Sequence, residues 1–242
     1  MMGVDPTVTA SAAQQSRLRV AARALARANL VHAYGHCSLR LDAGHFLVCA
    51  PKPMALITQH DDGVVVPVDG PLPEGVLGEV RIHQHIYRNR PELGAVIRSM
   101  PPTVMSLSTA RCTPQRRHGM GAYFPAPVPL WDDPQLIRTE EQAAGVAREL
   151  GQGNAVVMRG NGAVVAAPTL EKALVLTWYL EDAARVELQV RSAGLAPQGA
   201  VLDEHEAALR ATDAGRIFER MWDYLTAGDH ESSFNQSPME NA

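Results

Sequence analysis

The run Gly78-Glu79-Val80-Arg81-Ile82-His83-Gln84-His85-Ile86-Tyr87-Arg88-Asn89-Arg90-Pro91-Glu92-Leu93-Gly94-Ala95-Val96-Ile97-Arg98-Ser99-Met100-Pro101-Pro102 decides the fold. Its first half places Val80, Ile82, Ile86 and Tyr87 at helical spacing, so residues 78–90 form a helix with those side chains inward. Pro91 ends that helix. Residues 94–97 form a short buried strand, stopped by Met100-Pro101-Pro102. Glu79 and His83 stand four apart and so share one face of the helix.

The same alternation continues on both sides. Residues 11–29 make a helix with Leu18, Ala21, Ala22, Leu25 and Ala28 on one face. Residues 37–41 and 46–50 are strands joined by Asp42-Ala43-Gly44-His45, with Gly44 available for positive φ. Pro51-Lys52-Pro53 forces a loop, 63–67 is a further strand, and 103–110 a helix. Residues 111–133, rich in Pro and Gly, are loop with short strands. Thr139 and Gln142 form a capping box for a helix to 150, which Gly151 stops. Strands at 155–158 and 163–167 flank the turn Arg159-Gly160-Asn161-Gly162. Thr169 caps a helix to 193, and 204–226 is one last helix. Residues 1–10 are a flexible N-terminus and 229–242, polar and Pro-containing, a disordered tail. One α/β domain over 11–228 follows, with a sheet covered by helices.

Composition narrows the function. The 242 residues carry a formal net charge of -4. They contain no Lys/Arg cluster of the kind a nucleic acid needs. The longest apolar runs are far too short to span a bilayer. Residues 1–16 show no secretory pattern. The three cysteines, Cys37, Cys49 and Cys112, have no metal-type spacing. A soluble cytoplasmic protein with reduced thiols is expected.

Three motifs, in order, make the chain resemble the class II aldolase/adducin family. They are Gly35-His36-Cys37-Ser38-Leu39-Arg40, then Glu79 through His83, Ile86 and Tyr87 into Ala95-Val96-Ile97, and last Met158-Arg159-Gly160-Asn161-Gly162 leading into Ala163-Val164-Val165. Pro129, Asp132-Asp133-Pro134, Leu136-Ile137 and Arg220-Met221-Trp222 further resemble the branch that decarboxylates hydroxylated aromatic acids. The resemblance implies a single three-layer α/β/α domain with a central, largely antiparallel sheet. It also implies assembly as a homotetramer with sites between subunits.

The family's chemistry rests on a zinc, manganese or similar divalent ion held by three histidines. At the matching positions this chain has Arg98, Met100 and Asn161. Arginine is a fixed cation and cannot ligate. A thioether suits soft ions, and an amide is a weak ligand. No cofactor and no metal are therefore expected. Glu79 matches the family's acid/base carboxylate, and His36 replaces an Asn in an anion-binding turn. With Arg98 and His118, whose loop lies near the pocket in the decarboxylating branch, they are the candidate catalytic residues. Lys52, Ser38, Asn161, Ser99 and Trp131 are the candidate substrate-binding residues.

For each, a plainer reading stands beside the functional one. Glu79 is a solvated helix carboxylate, Lys52 a solvated lysine, and Ser38 a residue of the strand. Trp131, with Tyr123 and Phe124, either walls an aromatic substrate or packs on a neighbouring subunit. His83 is a half-buried helix residue. A metal site rebuilt from His36, His83, His118 and Glu79 is a third possibility. The expected function is a carbon–carbon lyase or enolising enzyme on a small-molecule carboxylate, aromatic or oxo-acid, working without the family metal. The alternative is a non-catalytic binding or scaffold protein like the adducin head.

Overall fold

A computed structural model of the chain describes residues 8–232. In order, the elements are α1 (Ala12–Arg27), β1 (His36–Arg40), β2 (His45–Val48), β3 (Val64–Pro67), α2 (Arg81–Asn89), β4 (Ala95–Ser99), α3 (Pro102–Thr109), β5 (Leu130–Trp131), α4 (Glu140–Leu150), β6 (Ala155–Met158), β7 (Ala163–Ala167), α5 (Leu170–Ser192), α6 (Glu204–Arg210) and α7 (Ile217–Thr226). The strands form one sheet in the order β3-β2-β1-β4-β7-β6-β5. It is antiparallel except for the β5–β6 pair.

β4 lies at the centre and is buried along its whole length. Both of its faces are covered, so its apolar run is unbroken rather than alternating. One sheet face, through Cys37, Leu39, Ala95, Ile97 and Val165, packs on α1, α3, α5 and α7. The other, through Phe46, Val96, Val156 and Val164, packs on α2 and α4. The expected α/β/α layering and largely antiparallel sheet are present.

Local signals set the helix starts. Ser11 with Gln14, and Thr139 with Gln142, form reciprocal capping boxes. Thr169 accepts the Lys172 N–H at the head of α5. Each such cap contributes about 1 kcal/mol. Among the described residues, no helix is long and apolar enough to cross a membrane.

Three expectations are corrected. The single last helix is two, α6 and α7. Gly215 (φ 73°) and Arg216 (φ 55°) are left-handed, and Thr212 Oγ1 accepts the Ala214 N–H to turn the chain. The apolar Leu209 is 72% exposed. Gly44 does not use a positive φ; Asp42 Oδ1 accepts the Gly44 N–H at 2.7 Å and closes the hairpin itself.

The tail is not loose from residue 229. Arg19, Arg23 and Arg27 recur every four residues on α1 and meet two buried acids. Arg23 forks onto Asp229 (2.8 and 2.7 Å) and reaches Glu231 at 2.7 Å. Arg19 Nη2 donates to Glu231 at 2.7 Å, and Arg27 Nη1 to Asp229 at 2.8 Å. A matched set of charges brought together from the two ends of the domain is invisible to a local reading of tail composition. Residues 1–7 of the N-terminal stretch and 233–242 of the tail lie outside the described residues.

This cluster gives a stability prediction. Burial alone would raise the Asp229 carboxyl, but Arg23 and Arg27 hold it well below the usual range. A depressed folded pKa stabilises above the unfolded value, near 4 for Asp. That stability is lost as pH falls through the folded value. Asp229→Asn leaves the buried Arg23 with only Glu231, which Arg19 shares, and should cost roughly 3–5 kcal/mol at pH 7. In urea denaturation the gap to the unmodified chain should shrink progressively below about pH 4. Equal stability at pH 7 would refute the clasp.

Candidate active site

β1 and β4 pair so that His36 stands opposite Arg98, and Ser38 opposite Val96. Side chains alternate across a strand, so His36, Ser38, Val96 and Arg98 share the sheet face that α2 covers. β7 sets Val164 opposite Arg98, and the β6–β7 turn then folds over the end of β4. In that turn Gly162 has φ 83°, and a Cβ there would lie 2.0 Å from the Ser99 carbonyl oxygen. Only glycine permits this approach, and it puts Asn161 beside Arg98. Glu79 comes from a 3₁₀ turn, Gly78–Val80, at the head of α2.

These side chains meet in one cleft of about 900 Å³, whose lining includes His36, Lys52, Glu79, Arg98, Met100 and Asn161. Arg98 is 2% exposed and lies in its floor. Its Nη2 donates to Asn161 Oδ1 at 2.7 Å. Its Nε stands 3.1 Å from Glu79 Oε2, close enough for ion pairing but without hydrogen-bond geometry. Arg98 Nη1 and Asn161 Nδ2 are both buried and without a hydrogen-bond partner among the described residues. His36 Nε2 is also buried and has no hydrogen-bond partner among the described residues; it lies 3.8 Å from Glu79 Oε2, a distance beyond hydrogen bonding.

The electrostatics follow from burial and from these neighbours. Burial, helped by Arg98 and opposed by Glu79, moves the His36 imidazole below its usual range. Burial pushes the Glu79 carboxyl up, yet His36 and Arg98 outweigh it and hold the group low. Near neutrality Glu79 is therefore a carboxylate and His36 a neutral ring. Burial also lowers Arg98, and Glu79 opposes the change. Arginine stays charged even so.

Behind His36 lies a second row of polar side chains. His83, expected to be half-buried, is wholly buried. Its Nε2 lies 2.8 Å from His36 Nδ1 and its Nδ1 2.6 Å from Ser38 Oγ. Ser38 Oγ lies 2.8 Å from the Tyr87 hydroxyl. The available signal was the spacing of Glu79, His83 and Tyr87, four apart on one helical face.

Several expected site residues lie elsewhere. Ser38 is in the second row, not at the cleft surface. Ser99 is fully buried and does not line the cleft, because the residue after Arg98 in a strand points to the opposite face. Trp131 packs over Gly145 of α4, where a Cβ would meet its ring at 2.5 Å. His118 faces α5, its Nε2 3.7 Å from Asp182 Oδ2. That position also separates His118 from His36 and His83, which bond to each other. Among the described residues, no three His, Cys, Asp or Glu side chains are grouped to hold a metal ion. Lys52 lines the mouth, paired with Asp61. Tyr34, Leu77, Leu136 and Arg138 complete the rim.

Residues 16–188 match the family described as Class II Aldolase and Adducin N-terminal domain. The chain belongs to the class II aldolase/adducin family. A 3,4-dihydroxyphthalate decarboxylase of Arthrobacter keyseri is 28% identical over 215 residues, 80% of this chain and 85% of that protein. One of the same name from Terrabacter sp. (strain DBF63) is 27% identical over 175 residues, 66% of this chain and 73% of that protein. The crystal structure of L-fuculose-1-phosphate aldolase from Thermus thermophilus superposes with a TM-score of 0.67 at 28% identity, covering 77% of this chain and 98% of that one. Family membership and the decarboxylase relatives support a lyase-type function.

The turn that seats Asn161 is testable by itself. Gly162→Ala adds a Cβ against the Ser99 carbonyl at a left-handed φ. It should destabilise by more than about 1 kcal/mol in urea denaturation and separate Asn161 from Arg98. An alanine tolerated at full stability would contradict the close seating of the hairpin on β4.

Proposed function

We propose that this chain is a decarboxylating carbon–carbon lyase that acts on a small hydroxylated aromatic carboxylate without the family's divalent ion. The observation that carries the reading is the pair of buried, unpartnered donors in the cleft, Arg98 Nη1 and Asn161 Nδ2. Two N–H groups beside a fixed cation suit one carboxylate, through charge-assisted hydrogen bonds. Tyr34, Leu77, Leu136 and Ile137 supply apolar walls for a ring.

The substrate named for the two relatives, 3,4-dihydroxyphthalate, suits this arrangement. It has two neighbouring carboxylates, one of them beside a hydroxyl. Arg98 and Asn161 grip one carboxylate. Gripping stabilises the ground state, so the gripped group is the one retained. Glu79, a carboxylate at neutral pH, takes the proton of the adjacent hydroxyl and passes it to the ring carbon bearing the other carboxylate. The carbon–carbon bond then breaks, its electrons return to the ring, and carbon dioxide leaves. The hydroxyl oxygen remains as a phenolate and recovers a proton from water.

The case against a metal rests on the donor set. By motif resemblance Arg98, Met100 and Asn161 stand for the family's three histidines; all three line the cleft. A guanidinium repels each unit of positive charge by about 4 kcal/mol at about 4 Å, for an effective dielectric near 20. These residues do not fit a zinc or manganese ion, and no step above passes through one. The working form in this reading is a cytoplasmic homotetramer, with a neighbouring subunit over the cleft mouth; monomers in light scattering would count against that.

The test is carbon dioxide release from 3,4-dihydroxyphthalate by protein dialysed against a chelator. Activity should survive. Arg98→Met should lower kcat/KM roughly 100-fold, the effect of losing about 3 kcal/mol of charge-assisted binding. Glu79→Gln should abolish turnover and spare binding. Activity lost on chelation and restored by zinc or manganese would overturn the metal-free reading. Binding without turnover would favour a non-catalytic role like that of the adducin head.

A further inference from the structure

The second row behind His36 has no task in the scheme above, yet it is built with care. His36, Ser38, His83 and Tyr87 are all buried. They form one chain, Tyr87 hydroxyl, Ser38 Oγ, the two nitrogens of His83, then His36 Nδ1, with one long side branch from Ser38 Oγ to the Val96 carbonyl oxygen at 3.5 Å. The far nitrogen of His36, Nε2, is the end that faces Glu79, 3.8 Å from its Oε2. A neutral imidazole has one donor and one acceptor nitrogen. The chain therefore has two consistent proton orders.

In the first, Tyr87 donates to Ser38, Ser38 to His83 Nδ1, and His83 Nε2–H to His36 Nδ1. His36 then carries its proton on Nε2, directed at the cleft. In the second every bond is reversed, and His36 turns a bare lone pair toward Glu79 Oε2, 3.8 Å away. A lone pair facing a carboxylate in a buried site is repelled, whereas an N–H there is attracted. The first order wins.

We propose that His83, Ser38 and Tyr87 are positioning residues that, together with the charge of Glu79, lock His36 in its Nε2–H tautomer, and that His36 donates this proton in a hydrogen bond to the oxyanion forming on the substrate's hydroxyl oxygen. The oxyanion part rests on the decarboxylase reading; the tautomer lock does not. The cleft donors then divide their work. Arg98 Nη1 and Asn161 Nδ2 hold the retained carboxylate, His36 takes the phenolate, and Glu79 alone moves the proton. A neutral imidazole used as a hydrogen-bond donor to a developing oxyanion is sound chemistry.

The surroundings agree. Glu79, Arg98 and His83 face His36. His83 lies against the Phe46 ring as well as against Ser38 and His36. The guanidinium of Arg40 sits 4.6 Å over the Tyr87 ring. Burial, and for His83 also the neighbouring His36, disfavours the charged imidazoles. Burial equally keeps the Tyr87 phenol protonated, as the head donor of the chain must be.

The experiment is a two-bond ¹⁵N–¹H correlation spectrum of the full chain labelled with ¹⁵N-histidine at pH 7, with and without His83→Phe. The wild-type spectrum should show both His36 and His83 as neutral Nε2–H tautomers. His83→Phe fills the space but removes the N–H that His36 Nδ1 accepts, so the Nδ1–H form of His36, which Glu79 still opposes, should become detectable where the wild type shows none. Its kcat on 3,4-dihydroxyphthalate should fall about tenfold, with KM nearly unchanged, because the group acts on a charge that forms after binding. Tyr87→Phe should shift both readouts in the same direction by less. A wild-type His36 found protonated or as the Nδ1–H form overturns the proposal, even if the variants fail to fold. So does a His83→Phe protein with unchanged kcat. A chain that shows the tautomer but turns over no 3,4-dihydroxyphthalate upholds the lock and overturns the substrate reading instead.

Discussion

A guanidinium buried at the centre of a sheet is costly unless its charge and its N–H groups are met. Arg98 sits at the end of the central strand, 2% exposed. The parts of the cleft are arranged around that fact. Glu79 arrives from the head of α2 to oppose the charge, and Asn161 arrives from the β6–β7 turn to accept one N–H. The match stops short of completion. Nη1 of Arg98 and Nδ2 of Asn161 stay unpartnered among the described residues. Buried donors left open in this way would be satisfied by an anion, and the proposed carboxylate grip rests on that.

The register of three strands turns this into a site. With His36 opposite Arg98 and Val164 on its other side, one face of β1, β4 and β7 presents a histidine, an arginine and, through the turn, an amide. The same face carries Ser38 two residues back, and α2 lays His83 and Tyr87 over it. A one-residue slip in β1 would send His36 and Ser38 to the α5 side and leave Cys37 against α2. The apolar contacts of Cys37 and Leu39 on that other face therefore help fix the chemistry on this one.

Much of the fold was legible because its signals are local. The capping box at Thr139 and the strands at 155–158 and 163–167 stand where spacing and turn residues put them. What escaped was set by distance along the chain. Asp229 and Glu231 look like tail residues until α1 offers three arginines. The break in the last helix turns on Gly215 and Arg216, whose conformations a helical apolar pattern does not report. For the site, the motif positions of Glu79, Arg98, Asn161 and His36 do lead to one cleft. His118 and Trp131 do not join it, since their loop follows the opposite layer and the sheet edge. His83 was undervalued because helical spacing shows which residues share a face and not what that face meets.

The central claim is that Arg98 and Asn161 hold a substrate carboxylate and that the cleft works without a divalent ion. A crystal structure of the protein grown with 3,4-dihydroxybenzoate, with data collected above the zinc and manganese absorption edges, tests it most directly. The account predicts a carboxylate within hydrogen-bond distance of Arg98 Nη1 and Asn161 Nδ2 and no anomalous peak in the cleft. An anomalous peak beside Glu79, with Arg98 swung away from Asn161 to admit the ion, would contradict it.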